Sequence, residues 1–390
     1  MHPILPKHLV HAGAIAMTLA LTANASAEDG VTKDKILFGQ AAALEGPASA
    51  LGTGMQLGIR AAFEEANSKG GVNGRKLELK SVDDSYEPDT SIQAVKNLID
   101  KDKVFALIGP VGTPTSKATQ PIATKAKVPF IGPFTGAGFL RNFDLGNIVN
   151  VRATYAAETE TWIKHLTDDL GFTRIALLYQ DDGFGRVGLK GVTAALQRRK
   201  MELVAKGTYT RNTTAVKTAL IDIRRKKPQA VVMVGAYKPI ATFIKVARSI
   251  DFNPAFVNIS FVGSKALAKE LGSDGTDVII SQVVPFPWET TIPLVEKYQS
   301  ALRALDAKAE PGFVSLEGYM VGKLAIMTLQ KMKGEVTRES FLKTVWETGS
   351  YDLGGITLTF GPKDNQGMDK VYLTQINADG SFRPVAKLTM

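Results

Sequence analysis

The sequence predicts an α/β fold with two doubly wound lobes, and three observations indicate it. At 390 residues the chain is too long for one ordinary hydrophobic core. Apolar segments of strand length alternate with amphipathic segments of helix length, the order typical of parallel sheets covered by helices. This alternation runs through the chain twice, and the second series begins near Tyr155. Neither lobe is complete in one continuous segment, so several strands must cross between the lobes.

The first series runs from residue 35 to residue 151. Strands are predicted over 35–43, 77–82, 104–108, 128–131 and 148–151, and helices over 52–68, 89–101 and 117–125. Doubly wound sheets bind their ligands outside the carboxyl ends of the strands. In this half those ends carry the loops 44–51, 83–86, 109–115 and 133–138. A binding site is therefore expected among these four loops.

The second series starts at residue 155 and is followed by a tail that returns to helices. Strands are predicted over 174–179, 202–208, 230–234, 255–258, 278–284, 356–360 and 370–376, and helices over 156–170, 185–200, 214–226, 239–250, 264–271, 293–305, 314–333 and 338–346. The first lobe should combine residues 31–152 with residues 285–360, and the second residues 153–284 with residues 361–390. Crossings between them are expected near Arg152, Val284 and Phe360.

The loop at residues 109–115 is the clearest candidate site. Gly109 and Pro110 end a buried apolar strand, and Thr113, Thr115 and Ser116 lead into a helix. The first N–H groups of a helix lack internal partners and the macrodipole is positive there, which favours an anion. An alternative is that Thr113 or Thr115 only caps the helix.

The N-terminus has the features of a cleaved secretory signal peptide over residues 1–27. Lys7 precedes an apolar stretch at residues 12–21, and Ala25-Ser26-Ala27 fits a cleavage site. The chain contains no cysteine, and after cleavage of the signal peptide His165 is its only histidine. These absences remove most metal, Cys-His and Ser-His-Asp arrangements. We therefore expect no catalytic residue, no metal and no cofactor.

Positive charge is concentrated in residues 183–250, which carry 15 Lys and Arg against Glu202 and Asp222. The run at residues 224–227 could suggest a nucleic-acid patch. It precedes Pro228 at a predicted helix end, where cations suit the macrodipole. A solvated helix end is the better interpretation for an exported protein, and no nucleic-acid partner is expected.

Several motifs together resemble the type I periplasmic solute-binding proteins of ABC importers, in the leucine/isoleucine/valine-binding branch. They are Gly46-Pro47, Gly52, Gly58, Glu65-x-Asn67, Gly70-Gly71-Val72-Asn73-Gly74-Arg75, Asp83-Asp84, Pro88, Gly109, Val128-Pro129-Phe130-Ile131-x-Pro133, Arg152 and Asp182-Gly183-Phe184-Gly185. The similarity covers essentially the whole chain after the signal peptide and is weaker in the second lobe. From the residues alone, Asp83 and Asp84 are interpreted as groups that hold the loop above their strand.

The resemblance implies two Rossmann-like lobes with parallel sheets, joined by a three-strand hinge, that close on a small solute. It implies a periplasmic, monomeric binding protein that serves a membrane permease and is not an enzyme. The ligand's carboxylate would rest on Thr113, with Thr135 and Gly136 opposite. The other positions implied to line the site are Leu51, Phe134, Tyr155, Phe184, Tyr237 and Ser260.

One departure from the family bears on the solute. Amino-acid binders of this branch hold the ligand's ammonium with acidic residues, and the matching positions here are Ala157 and Ser260. A desolvated ammonium without a carboxylate would cost several kcal/mol, so an aromatic or otherwise apolar acid is favoured. Glu158 or Glu160 could substitute if the alignment shifts, and the solute would then be an amino acid.

A dinucleotide-using enzyme is one alternative to solute delivery, but the sequence does not favour it. Gly52-x-Gly54-x-x-x-Gly58 resembles a dinucleotide fingerprint, but its third glycine is one residue late and a long loop separates it from the strand. A ligand-sensing receptor component remains the second alternative.

Overall fold

The computed structural model of the protein describes residues 28–361 and 363–389, together with residue 2. The predicted signal peptide at residues 1–27 lies outside the described residues, apart from residue 2. Within the described ranges, no helix has the length and apolar character needed to cross a membrane.

Strands and helices alternate along most of the chain. The strands are β1 (Lys35–Ala42), β2 (Lys76–Asp83), β3 (Ala106–Ile108), β4 (Phe130–Ile131), β5 (Ile148–Val149), β6 (Ile175–Gln180), β7 (Ala205–Tyr209), β8 (Ala230–Val234), β9 (Ala255–Asn258), β10 (Ile279–Gln282), β11 (Ser350–Asp352), β12 (Thr357–Thr359), β13 (Tyr372–Ile376) and β14 (Phe382–Val385). The helices are α1 (Ser49–Asn67), α2 (Pro88–Asp100), α3 (Thr113–Lys125), α4 (Tyr155–Asp168), α5 (Gly183–Gln197), α6 (Lys217–Arg225), α7 (Tyr237–Ser249), α8 (Ser264–Leu271), α9 (Pro293–Leu305), α10 (Phe313–Lys331) and α11 (Arg338–Thr348).

Two separate sheets form the centres of two lobes. The first lobe has a five-stranded parallel sheet in the order β2-β1-β3-β4-β5. The second lobe has a seven-stranded sheet in the order β14-β13-β10-β9-β8-β6-β7. Five strands of the second sheet are parallel, whereas β13 and β14 are antiparallel and form one edge. The predicted two-lobed α/β fold is confirmed, with the difference that the second sheet is mixed.

The chain passes between the lobes three times. It leaves the first sheet after β5, leaves the second sheet after β10, and enters the second sheet again at β13. The first and third crossings pair with each other: Asn150 N–H donates to the Asn365 carbonyl at 2.8 Å, and Gly367 N–H donates to the Asn150 carbonyl at 2.9 Å. The boundaries at residues 152, 284 and 360 stay a prediction.

Glycines allow α1 and α10 to pack closely. A Cβ on Gly58 would lie 1.9 Å from the Ser315 carbonyl oxygen, and a Cβ on Gly318 would lie 2.4 Å from the Met55 carbonyl oxygen. A Cβ on Gly52 would lie 1.9 Å from the Ala43 carbonyl oxygen, just after β1. These contacts explain the glycine series of α1 by backbone packing, without a bound dinucleotide.

The element bounds agree closely with the sequence pattern, with a few informative differences. The elements β8, β9, α8 and α9 have the predicted bounds. Helix α3 begins at Thr113, four residues before the predicted start, so the hydroxyl residues lie inside its first turn. Strands β11 and β14 were not predicted, because each is short and pairs only with a neighbouring hairpin strand.

We expect Gly58→Ala to destabilise the protein by about 2 kcal/mol or more, because the added methyl group would overlap the α10 backbone. The unfolding midpoint in urea measures this. Gly138→Ala is the matched control, since its Cβ would meet nothing within 4 Å. Equal midpoints for the two variants would contradict the proposed packing role.

Candidate functional site

The first turn of α3 presents Thr113 to the interior between the lobes. Gly112, with φ of 104°, precedes the helix, and no side chain caps it. The Thr113 Oγ1 lies 2.6 Å from the Thr135 Oγ1, whereas the Thr115 hydroxyl donates to the Gly112 carbonyl at 3.1 Å and to the Val111 carbonyl. Neither threonine therefore caps α3, and the capping alternative is wrong for both.

Aromatic rings surround the Thr113–Thr135 pair. Phe134 and Phe184 each lie against Phe261, with ring centroids 5.3 and 4.7 Å apart, and Tyr155 lies 5.4 Å from Phe184. Tyr86 of the first lobe contacts the Phe261 ring at 5.8 Å. All five rings are buried. We call this set (Tyr86, Phe134, Tyr155, Phe184 and Phe261) the aromatic cluster.

The loop after β4 places Thr135 and Gly136 beside the aromatic cluster, but its backbone is largely occupied. The Thr135 N–H donates to the Pro133 carbonyl at 2.7 Å, and the Gly136 carbonyl accepts from the Tyr155 N–H at 2.9 Å. A Cβ on Gly136 would lie 2.6 Å from the Tyr155 ring. The Thr135 N–H is therefore bonded within the loop, and the Thr135 hydroxyl faces that of Thr113 and accepts from the Ala137 N–H at 3.2 Å.

Leu51 and Tyr237 lie at the margin of the site. The Tyr237 hydroxyl accepts from the Ala50 N–H at 3.4 Å, across the gap between the lobes. Leu51 packs against Gly263, where an added Cβ would lie 2.7 Å from its Cδ2. A cavity of about 470 Å³ opens beside them between α1, α8 and the beginning of α10.

A buried group of charges lies next to Phe134 and Tyr155. The Arg152 Cζ is 4.8 Å from the Phe134 ring centroid and 5.8 Å from that of Tyr155. Its Nη2 donates to the Ser260 hydroxyl and lies 3.7 Å from Glu158 Oε1, and its Nε lies 3.6 Å from Glu317 Oε1. All three charged side chains are buried. We call Arg152, Glu158 and Glu317 the buried charge cluster.

Glu158, and not Glu160, is the acidic side chain that lies beside Ser260. Its carboxylate accepts from the Ser260 N–H and hydroxyl, both at 2.9 Å, and from the Ser281 hydroxyl. Glu160 instead pairs with Arg198 and Arg199 at the protein surface. An acidic side chain therefore does lie at the site, and the expectation that Ala157 and Ser260 leave it without one is wrong.

Burial shifts the pKa values of groups around the site. Burial raises the pKa of Glu317 to about 7, although the nearby Arg152 opposes the shift. Burial and the charge of Arg152 lower the pKa of Arg141 to about 9. Burial also raises the pKa of Tyr155, against the influence of Arg152 and of the hydroxyls of Thr135 and Thr113. Glu317 is therefore the group here that titrates near neutral pH.

Direct contacts join the two lobes outside the aromatic cluster. Arg211 of the second lobe pairs with Glu87 of the first at 2.7 Å, and Asn212 donates to the Ser85 carbonyl at 3.1 Å. Lys265 pairs with Glu310 on the other side of the site. The structure therefore shows the lobes closed against each other.

The loops of the first lobe are held by the paired aspartates. Asp83 accepts from the N–H groups of Leu44 and Glu45 at 2.7 and 3.0 Å, and Asp84 accepts from the Tyr86 N–H at 2.9 Å. The interpretation of these two carboxylates as loop supports is confirmed.

Sequence reasoning missed Phe261 and Glu317 and gave Arg152 no role in the site. Phe261 directly follows Ser260, a predicted site residue, and this adjacency could have indicated that Phe261 also lies at the site. Glu317 belongs to α10, about 160 residues from Glu158, and only the fold brings them together. Within residues 28–361 and 363–389, no cluster of three potential metal ligands occurs.

Comparison with known proteins gives a consistent result across the chain. Residues 35–381 match a family described as periplasmic binding protein. A Leu/Ile/Val-binding protein homolog 7 from Brucella suis biovar 1 (strain 1330) is 24% identical over 342 residues, covering 84% of this chain and 83% of that protein.

Solved structures resemble the whole fold. A possible leucine/isoleucine/valine-binding protein from Rhodopirellula baltica SH 1 has a TM-score of 0.87 and 38% identity, covering 93% of this chain and 98% of that one. A substrate-binding periplasmic protein from Ralstonia solanacearum has a TM-score of 0.85 and 25% identity, covering 90% and 100%.

We expect Glu317→Gln to change the pH dependence of stability. In the folded protein burial raises the pKa of this carboxyl to about 7, from the ordinary glutamate value of 4.5. The contribution of this carboxyl to the free energy of unfolding is therefore fully present below about pH 4.5. It is lost as the pH rises through about 7. Glutamine does not ionise and avoids this loss. As the pH rises from 5 to 8, the free energy of unfolding of the variant should therefore increase relative to that of the parent by up to about 3 kcal/mol.

Unfolding midpoints of the two proteins across this pH range measure the effect. Glu64→Gln on the exposed face of α1 controls for the loss of one negative charge. A parent-to-variant difference that stays constant from pH 5 to 8 would contradict the prediction.

Proposed function

The chain belongs to the periplasmic binding protein family, and we propose that it captures a small carboxylate-bearing solute between its lobes for the permease of an ABC importer. The family and the similar proteins are solute-binding proteins and not enzymes. The periplasm, reached through a cleaved signal peptide, is the proposed location. We propose that the protein acts as a monomer and that it binds no nucleic acid.

The convergence of both lobes on the Thr113–Thr135 pair carries this proposal. Thr113 begins α3 of the first lobe, and Phe184 and Phe261 of the second lobe close over the same region. Hydroxyl donors and a helix N-terminus suit an anionic group. Buried rings around them suit an apolar remainder. Leu51 and Tyr237 would contact the part of the solute nearest the margin.

An aromatic or apolar acid is the proposed solute class. The similar proteins named for leucine, isoleucine and valine support an amino acid as the alternative. In that alternative Glu158 would pair with the ammonium group, but its oxygens already accept from Ser260 and Ser281. Full occupation of this carboxylate favours a solute without an ammonium. The second alternative is a ligand-sensing receptor component, in which the same closure of the lobes would report the bound solute to a signalling partner.

A thermal-shift screen followed by small-angle scattering tests capture between the lobes. The screen should contain amino acids, aromatic acids, dicarboxylates, amides and purines, because any ligand of the native state raises the melting temperature. A solute found in this way should reduce the radius of gyration, since the closed state gains contacts with it. An unchanged radius at saturation would overturn the proposal.

We expect Thr113→Val to weaken binding of that solute about tenfold or more. A hydrogen bond to a charged group contributes roughly 1.5–3 kcal/mol, and valine keeps the shape of the side chain without the hydroxyl. Isothermal titration calorimetry measures the change. Thr119→Val is the matched control on α3, because its hydroxyl bonds to the Thr115 carbonyl of the same helix. Equal losses in the two variants would contradict a contact between Thr113 and the solute.

A further inference from the structure

The Arg152 guanidinium has donors that the protein does not use. It is fully buried, and its Nη2 donates to Ser260. Its Nε and Nη1 have no hydrogen-bond partner among the described residues. Unpaired donors of a buried charged group are costly, and most buried polar groups have partners. Arg152 therefore presents two donors that a bound group could satisfy.

The neighbouring carboxylates balance the charge of Arg152 without filling these donors. Glu317 Oε1 lies 3.6 Å from Nε, which is beyond hydrogen-bond length. Glu158 lies 3.7 Å from Nη2, and its oxygens already accept from Ser260 and Ser281. Both acids stabilise the positive charge through space, but neither bonds to Nε or Nη1.

The unused donors lie close to other donors of the site. The Tyr155 hydroxyl also lacks a partner among the described residues, and its ring is 5.8 Å from the Arg152 Cζ. The Thr113 and Thr135 hydroxyls lie 2.6 Å apart, and Gly136, which follows Thr135, packs against the Tyr155 ring. A planar anion could therefore bind the guanidinium and these hydroxyls at once.

We infer that Arg152 binds the anionic group of the solute, and that the solute is a carboxylate without an ammonium group. This inference rests on the proposed capture of a solute between the lobes. Thr113 and Tyr155 then complete the anion site that Arg152 anchors, and the aromatic cluster encloses the apolar remainder. The ordinary interpretation of Arg152 as a structural link would leave two buried donors unexplained.

The charge balance implies that a proton accompanies the solute. Arg152 lies within 3.7 Å of both Glu158 and Glu317, and the half-buried Arg141 donates to the Arg152 carbonyl at 3.0 Å. The charges of Glu317 and Asp369 act on Arg141. Arg152 is buried with two carboxylates, those of Glu158 and Glu317, so an added anion increases the excess of negative charge there. Glu317, buried and 3.6 Å from the Arg152 Nε, is the group that takes up the proton. Burial raises its pKa to about 7, which favours uptake near neutral pH.

Matched acids and amides test the inference on the full chain. Benzoate, phenylacetate and isovalerate are compared with benzamide, phenylacetamide and isovaleramide by thermal shift and calorimetry. At least one acid should raise the melting temperature and bind at least tenfold more tightly than its amide. If no acid is preferred to its amide, the inference is overturned. The proposed function survives that result if any solute of the broader screen compacts the protein.

Two variants separate an anchoring role from a structural one. Arg152→Lys keeps the charge but loses the planar pair of donors, and it should reduce acid binding tenfold or more with little effect on amides. Arg152→Met combined with Glu317→Gln removes one buried charge of each sign and should fold while losing the preference for acids. Retention of the full preference by either folded variant would overturn the inference.

Proton uptake provides a readout that a purely structural arginine would not give. Binding enthalpies of the preferred acid, measured near pH 7.5 in two buffers of different ionisation enthalpy, should differ for the parent protein. Glu317→Gln should abolish that difference. Equal enthalpies in both buffers for the parent would contradict the linked proton.

Discussion

The buried guanidinium of Arg152 is the interaction on which the rest of the site depends. Desolvating such an ion costs several kcal/mol, so it needs compensating charges and hydrogen bonds. Its partners come from both lobes: Glu158 and Ser260 from the second, and Glu317 from the α10 helix that packs on the first. Arg152 itself lies at the first crossing between the lobes. The residues around Arg152 therefore both join the lobes and form part of the candidate site.

Closure of the lobes depends more on the aromatic cluster than on the ion pairs at the surface. Partly exposed pairs such as Arg211–Glu87 each contribute at most about 1 kcal/mol. Burying a ring such as Phe261 contributes roughly 1.5–3 kcal/mol, and this ring contacts Tyr86 and Phe134 of the opposite lobe. A solute must therefore act on the aromatic cluster to change the balance between open and closed forms.

The sequence was sufficient for the fold because strand and helix periodicity are local signals. It placed α8 and α9 within their observed bounds and brought Thr113, Thr135 and Phe184 to one region. It was insufficient for contacts between distant segments, such as the pairing of Arg152 with Glu317. Strand β14, which pairs antiparallel with the predicted β13, was also missed, since a short strand at a sheet edge has little apolar pattern of its own.

The two parts of the site should differ in how strictly they select a solute. A site with buried, charged donors rejects a ligand that leaves them unpaired, whereas an apolar enclosure separates similar shapes by only about 1–3 kcal/mol. Arg152 and the hydroxyls of Thr113 and Tyr155 belong to the first kind, and the rings of Phe134, Phe184 and Phe261 to the second. The anionic group should therefore be specified closely, while the apolar remainder varies. Divergence among related binding proteins is then expected at the rings, because exchanging a ring changes the accepted shape without unbalancing the buried charges.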